Sequence, residues 1–120
     1  MGTFPAFLKS APNAVLIEDP ETGMEGYVFE GADGSQIVFW TCEKGGVSRT
    51  HVHDYDEYAC VVEGSFVGMI GTEEVRMGPG DECVIPAGVP HSGSYSDGYR
   101  AIDAFGSKRV RRAAPGSSSK

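Results

Sequence analysis

The chain is punctuated at short, regular intervals. Brief β-branched or aromatic runs, each closed by Gly, Pro, Asp or Asn, span Ala14 to Glu18, Gly26 to Glu30, Gln36 to Cys42, Glu57 to Glu63, Phe66 to Ile70, Glu74 to Met77, Glu82 to Ile85 and Tyr99 to Phe105. Turn signals roughly every 8 to 12 residues predict an antiparallel β-sandwich or barrel rather than a βαβ fold. No amphipathic window of helix length competes with the strands, and 17 glycines in 120 residues suit a fold rich in tight turns. A short N-terminal helix is expected at Thr3-Phe4-Pro5-Ala6-Phe7-Leu8, capped by Thr3 and docked through Phe7 and Leu8. The spacing predicts one domain over 1–112 and a disordered tail over 113–120, where no apolar residue is larger than Ala.

Charge and cysteine usage narrow the function classes. The formal net charge is -7, and residues 1–107 hold all seventeen acidic side chains but only five basic ones. Lys108, Arg109, Arg111, Arg112 and Lys120 supply the other positive charges, a short basic segment on an acidic body that predicts no nucleic-acid binding. The absence of an apolar run of 18 residues and of a signal-like leader leads us to expect no membrane association and a cytoplasmic location. Cys42, Cys60 and Cys83 form no CxxC pair and leave one over in any pairing, so reduced, buried thiols are expected.

The three histidines of the chain fall in two places, Thr50-His51-Val52-His53-Asp54-Tyr55-Asp56-Glu57 and Pro86-Ala87-Gly88-Val89-Pro90-His91. On a strand, residues i and i+2 emerge on one face about 7 Å apart, so His51 and His53 could chelate one ion. Asp54-Tyr55-Asp56 reads as a turn, which lets Glu57 open the returning strand facing that pair. Two prolines around Gly88 stiffen a turn that could aim His91 at the same point. Three imidazoles and a carboxylate suit one divalent transition metal (Fe, Mn, Ni, Cu or Zn), and affinity order alone does not choose among them.

These residues carry a resemblance. Gly45-x5-His51-x-His53-x3-Glu57-x6-Gly64 is similar to the first motif of the cupins, and Gly80-x5-Pro86-x-Gly88-x2-His91 to the second. Tyr95 departs from the second motif, which often has an asparagine four residues after its histidine. The resemblance implies an all-β jelly-roll β-barrel, a homodimer, and metal-ligand roles for His51, His53, Glu57 and His91.

On the last run, Asp103 interrupts apolar neighbours and shares a face with Ala101 and Phe105, so its carboxyl lies either at a barrel mouth or inside. Asp103-x-Phe105-x3-Arg109 resembles the final-strand pattern of small cupins that act on unsaturated uronates in pectin breakdown. That likeness implies an acid/base role for Asp103, a pocket wall at Phe105 and an anion clamp at Arg109. This chain has Glu57 where those enzymes commonly have glutamine, and it lacks a proline over Gly106-Ser107-Lys108.

Tyr55, Tyr58, Tyr95, Tyr99, Phe39 and Trp40 are further candidates for lining a pocket, with core packing as the competing role. Two functions follow as expectations. One is an enzyme acting on a small oxygen-rich substrate (sugar-acid, enol or diketone-like) by metal-assisted isomerase, lyase or dioxygenase chemistry. The other is a non-catalytic module that binds a small molecule or a structural metal.

Overall fold

The computed structural model describes residues 2–113. Apart from Ala113, the expected tail lies outside the described residues. Among the described residues there are nine strands: β1 (Met24–Glu30), β2 (Gln36–Cys42), β3 (Gly46–His51), β4 (Glu57–Glu63), β5 (Phe66–Ile70), β6 (Glu73–Met77), β7 (Glu82–Ile85), β8 (His91–Tyr95) and β9 (Tyr99–Phe105). They form a five-stranded sheet in the order β1-β2-β9-β4-β7 and a four-stranded sheet in the order β3-β8-β5-β6. All pairings are antiparallel. No helix among the described residues is long and apolar enough to cross a membrane.

Alternation along the strands creates the interior. Val28, Val38, Ala59, Val61, Ala101 and Phe105 are buried on the inward face of the larger sheet, as period-2 geometry requires of a sheet packed on one side. One cluster, Cys42, Val61, Met77, Tyr99 and Ala101, fills one end of the barrel. A second, Val15, Val28, Val38 and Phe105, closes the other. Cys42 is buried, Cys60 and Cys83 are half-buried, and all three are free thiols.

Three expectations need correction. Ala14 to Glu18 is not a strand: it makes single bridges, Ala14 to Tyr27 and Val15 to Arg112. Its apolar residues serve the interior end instead, with Val15 buried in the second cluster. The N-terminal helix is reduced to short 3-10 turns, the first at Ala6–Leu8 following Pro5, with no side-chain cap from Thr3. Phe7 is exposed. Phe4 docks in its place, edge-on to Phe39 at 5.4 Å and beneath the Arg100 guanidinium at 4.7 Å.

Candidate metal centre

Each histidine reaches the interior by a different local device. β3 shifts register between Ser48 and His51, which sets His51 directly opposite His91 on β8. Their rings lie 4.1 Å apart between centroids. The strand stops there, so His53 follows from an irregular segment rather than from the same extended face as His51. That segment is tied to the turn before β8, where the Gly88 N–H donates to the His53 carbonyl at 2.7 Å and the Ala87 N–H to Asp56 Oδ1 at 2.9 Å. Gly88 takes a φ of 83° in that turn, a conformation a side chain would strain.

Glu57 opens β4 on the opposite sheet, paired with both Ile85 and Phe105, and it is buried. One ligand atom from each of His51, His53 and His91 falls within 4.8 Å of the others. Glu57 Oε1 lies 3.5 Å from His53 Nε2 and 3.5 Å from His91 Nε2. Two atoms each about 2.1 Å from a shared ion stand about 3 to 4 Å apart, so the two Glu57 separations of 3.5 Å fit a first-row divalent metal, and the histidine atoms need only a small inward adjustment to join it.

The hydrogen bonds around the rings favour the same use. His51 Nδ1 is 2.7 Å from the Arg49 carbonyl and His91 Nδ1 is 3.1 Å from the Val89 carbonyl. A carbonyl only accepts, so each Nδ1 carries a proton, an arrangement that in the neutral ring leaves the Nε2 lone pair for a metal. Nε2 of His53 and of His91 is buried with no hydrogen-bond partner. Such atoms are costly unless something fills the space between them, and a cation would. His53 also stacks on Tyr55, with centroids 4.7 Å apart and planes 10° apart, which fixes its ring.

The electrostatics of the polypeptide alone are poised for a cation. Burial, helped by the charges of Arg109, His51 and His91, pushes His53 down to about 4, so it is neutral at physiological pH. Burial raises Glu57 above the usual carboxylate range.

The cluster opens onto a cavity of about 600 Å³ whose lining includes Trp40, Phe66, Tyr99, Asp103, Phe105 and Arg109. Asp103 is therefore inside the barrel, and its Oδ1 is buried without a hydrogen-bond partner. Burial, then the charge of Glu57, pushes its carboxyl up to about 8 against the opposing pull of Trp40 and Arg109. Arg109 is exposed at the cavity rim, and its charge acts on His53, Tyr55, Glu57 and Asp103.

Of the aromatic candidates, Trp40, Tyr95, Tyr99 and Phe105 line the cavity, whereas Phe39 and Tyr58 belong to the outward-facing positions of their strands. Sequence reasoning missed Gln36, an inward-facing amide that is only 1% exposed. The available signal was of the same kind as for Asp103: a polar residue on the inward face, in register with the otherwise apolar Val38, Trp40 and Cys42.

The cupin domain family model matches residues 38–98, just over half of the chain. Among solved structures, the chain is similar to KdgF from Halomonas sp., with 25% identity, coverage of 79% of this chain and 86% of that one, and a TM-score of 0.68. It is also similar to an RmlC-like cupin from Shewanella frigidimarina, with 25% identity, coverage of 76% and 82%, and a TM-score of 0.65. The fold likeness extends to the oxalate decarboxylase of Bacillus subtilis, a protein with Mn(II) centres, at 21% identity, coverage of 80% of this chain and 28% of that one, and a TM-score of 0.65. No curated protein matches. The chain belongs to the cupin domain family.

Proposed function

We propose that this protein is a metal-dependent enzyme acting on a small oxygen-rich substrate of the sugar-acid, enol or diketone kind, by isomerase, lyase or dioxygenase chemistry. One divalent ion (Fe, Mn, Ni, Cu or Zn) would be held by His51, His53, Glu57 and His91, whose donor atoms converge between the two sheets. Once bound, such an ion supplies Lewis-acid polarisation of a substrate oxygen.

The observation that carries the reading is Asp103. Its Oδ1, on the wall of the same cavity as His51 and His91, is buried without a hydrogen-bond partner, an arrangement that costs stability. With its carboxyl raised to about 8, Asp103 is protonated at neutral pH, yet close enough to that pH to give up and regain a proton at Oδ1 or Oδ2. Arg109 at the rim binds an anionic group of the substrate and orients the remainder toward Asp103. Phe105 and Tyr99 form apolar walls that exclude water from the proton-transfer region. A volume of about 600 Å³ lies within the usual range for small-molecule sites. The resemblance of Asp103-x-Phe105-x3-Arg109 to the uronate-acting cupins supports the same roles.

The test is turnover of a panel of uronates, enols, diketones and catechols by protein loaded with each of the five metals. Activity with at least one substrate class, lost in Asp103→Ala with metal content retained, is the expected result. No turnover by any loaded form would instead identify a non-catalytic binding module.

A homodimer through the outer face of the five-stranded sheet is part of this proposal. The row Phe29, Ile37, Ala104, Tyr58, Val84 runs in register across all five strands. Four of these side chains (Phe29, Ile37, Tyr58 and Val84) are exposed, Val84 at 59%. A contiguous apolar row of this kind marks an interaction surface, and the family resemblance implies a second copy as its cover.

A further inference from the structure

After β9 the chain turns back across the end of the barrel as a strap, Gly106 to Ala113. Its first contact is the Gly106 N–H to the Asp56 carbonyl at 2.9 Å. Its far end joins the N-terminal segment, with the Leu16 N–H donating to the Arg111 carbonyl at 2.8 Å and the Ala113 N–H to the Ala14 carbonyl at 2.7 Å. Between those ends Val110 packs on the interior cluster, and the Gln36 side chain bonds the strap backbone. Gln36 Oε1 accepts from the backbone N–H groups of Arg109 at 2.7 Å and Val110 at 3.0 Å. Gln36 Nε2 donates to the Val110 carbonyl at 3.1 Å and to Glu30 Oε2 at 2.9 Å. The same Glu30 pairs through Oε1 with Arg112 Nη1 at 3.2 Å.

A side-chain amide offers two acceptor sites and two donor hydrogens, and Gln36 uses all four while fully buried. Packing alone does not call for an amide here, since Val38, Trp40 and Cys42 fill the same inward row. Three of its four bonds go to the backbone of Arg109 and Val110. They fix the strap at the residue whose guanidinium borders the cavity and whose charge reaches His53, Glu57 and Asp103.

We propose that Gln36 is a positioning residue, clamping the strap so that Arg109 is held at the rim above the histidine cluster, and thereby setting the affinity of the site for anionic ligands. The affinity part rests on the anion-binding role proposed for Arg109; the clamping part does not.

The experiment separates the two. In the metal-free full-length protein, amide hydrogen exchange at Arg109 and Val110 is compared between wild type and Gln36→Leu, and each N–H is expected to exchange at least about tenfold faster in the variant. In Co(II)-loaded protein, malonate and imidazole are titrated by the visible absorption of the metal. Gln36→Leu and Arg109→Ala should each weaken malonate about tenfold, the double variant should be no weaker than Arg109→Ala, and neutral imidazole should bind all forms equally. Unchanged exchange overturns the clamp. Equal loss of malonate and imidazole also overturns it, because that pattern marks general damage. If exchange rises but Arg109→Ala leaves malonate binding untouched, the clamp is supported and the anion role of Arg109 is refuted. Should Gln36→Leu fail to fold, the near-isosteric Gln36→Met is measured in its place, with the same roughly tenfold faster exchange expected and unchanged exchange refuting the proposal.

Discussion

Replacing Asp103 by asparagine keeps the size and polarity of the side chain while removing its ability to ionise, and the cost of burying that carboxyl can be worked through. Its ordinary value is 3.8, and burial followed by the charge of Glu57 raises it to about 8 in the fold. Below pH 4 both states are protonated and the group makes no difference between them. As pH rises from about 4 to about 8, the unfolded carboxyl ionises while the folded one cannot, so the native state loses about 1.4 kcal/mol for each pH unit. At pH 7 that amounts to about 4 kcal/mol, a large share of the stability of a small domain. Asp103→Asn removes this pH-dependent penalty. Urea unfolding of the metal-free wild type and variant from pH 5 to pH 8.5 reads the effect directly. The stability difference should widen with pH, favouring the variant, and level off above pH 8. A difference that stays constant across this range would mean that the carboxyl titrates normally and is solvated, and the reasoning that makes Asp103 a proton carrier would fail with it.

Other substitutions test other parts of the structure. His91→Ala should weaken divalent-metal binding at least about hundredfold by calorimetry, because it removes a donor rather than a supporting contact; retention of wild-type affinity would remove His91 from the centre. Glu57→Gln should raise the urea midpoint of the metal-free protein, since burial raises the carboxyl of Glu57, while lowering metal affinity; opposite signs would contradict its place among the donors. Gly68→Ala should cost about 2 kcal/mol or more, because a β-carbon there would collide with the Ser92 carbonyl on the neighbouring strand; a neutral change in the unfolding midpoint would refute that close approach. Val84→Arg should convert a dimer to monomer by light scattering, whereas a wild type that is already monomeric refutes the proposed interface.

Much of this architecture is legible in the sequence because alternation and turn residues act locally. Gln36 to Cys42, Glu57 to Glu63 and Tyr99 to Phe105 carry their inward apolar rows openly, and they became β2, β4 and β9. β3 and β8 do not announce themselves, for Gly46-Val47-Ser48-Arg49-Thr50-His51 and His91-Ser92-Gly93-Ser94-Tyr95 have few apolar residues to alternate. Gly93 explains part of this: a side chain there would enter the Phe66 ring, so the strand leaves its own position empty for a neighbour. Ala14 to Glu18 misled in the opposite direction, since its apolar residues serve the barrel end and not a strand. The histidines were readable as a group, yet the way His53 joins them was not, because β3 ends at His51 and the approach depends on bonds to the turn before β8. Gln36 was invisible for the same reason: its partners, Arg109 and Val110, lie more than seventy residues away.

The convergence of His51, His53, His91 and Glu57 on one point is tested most directly by counting metal. Elemental analysis of the purified full-length protein, followed by calorimetric titration of the chelated form with each of the five divalent ions, gives both identity and stoichiometry. The geometry predicts one ion per chain for at least one metal, with the stoichiometry falling toward zero in a His51→Ala/His91→Ala variant that still folds. A chelated wild type that takes up none of the five ions, or a double variant that binds as tightly as wild type, would contradict the metal centre and the mechanism built on it.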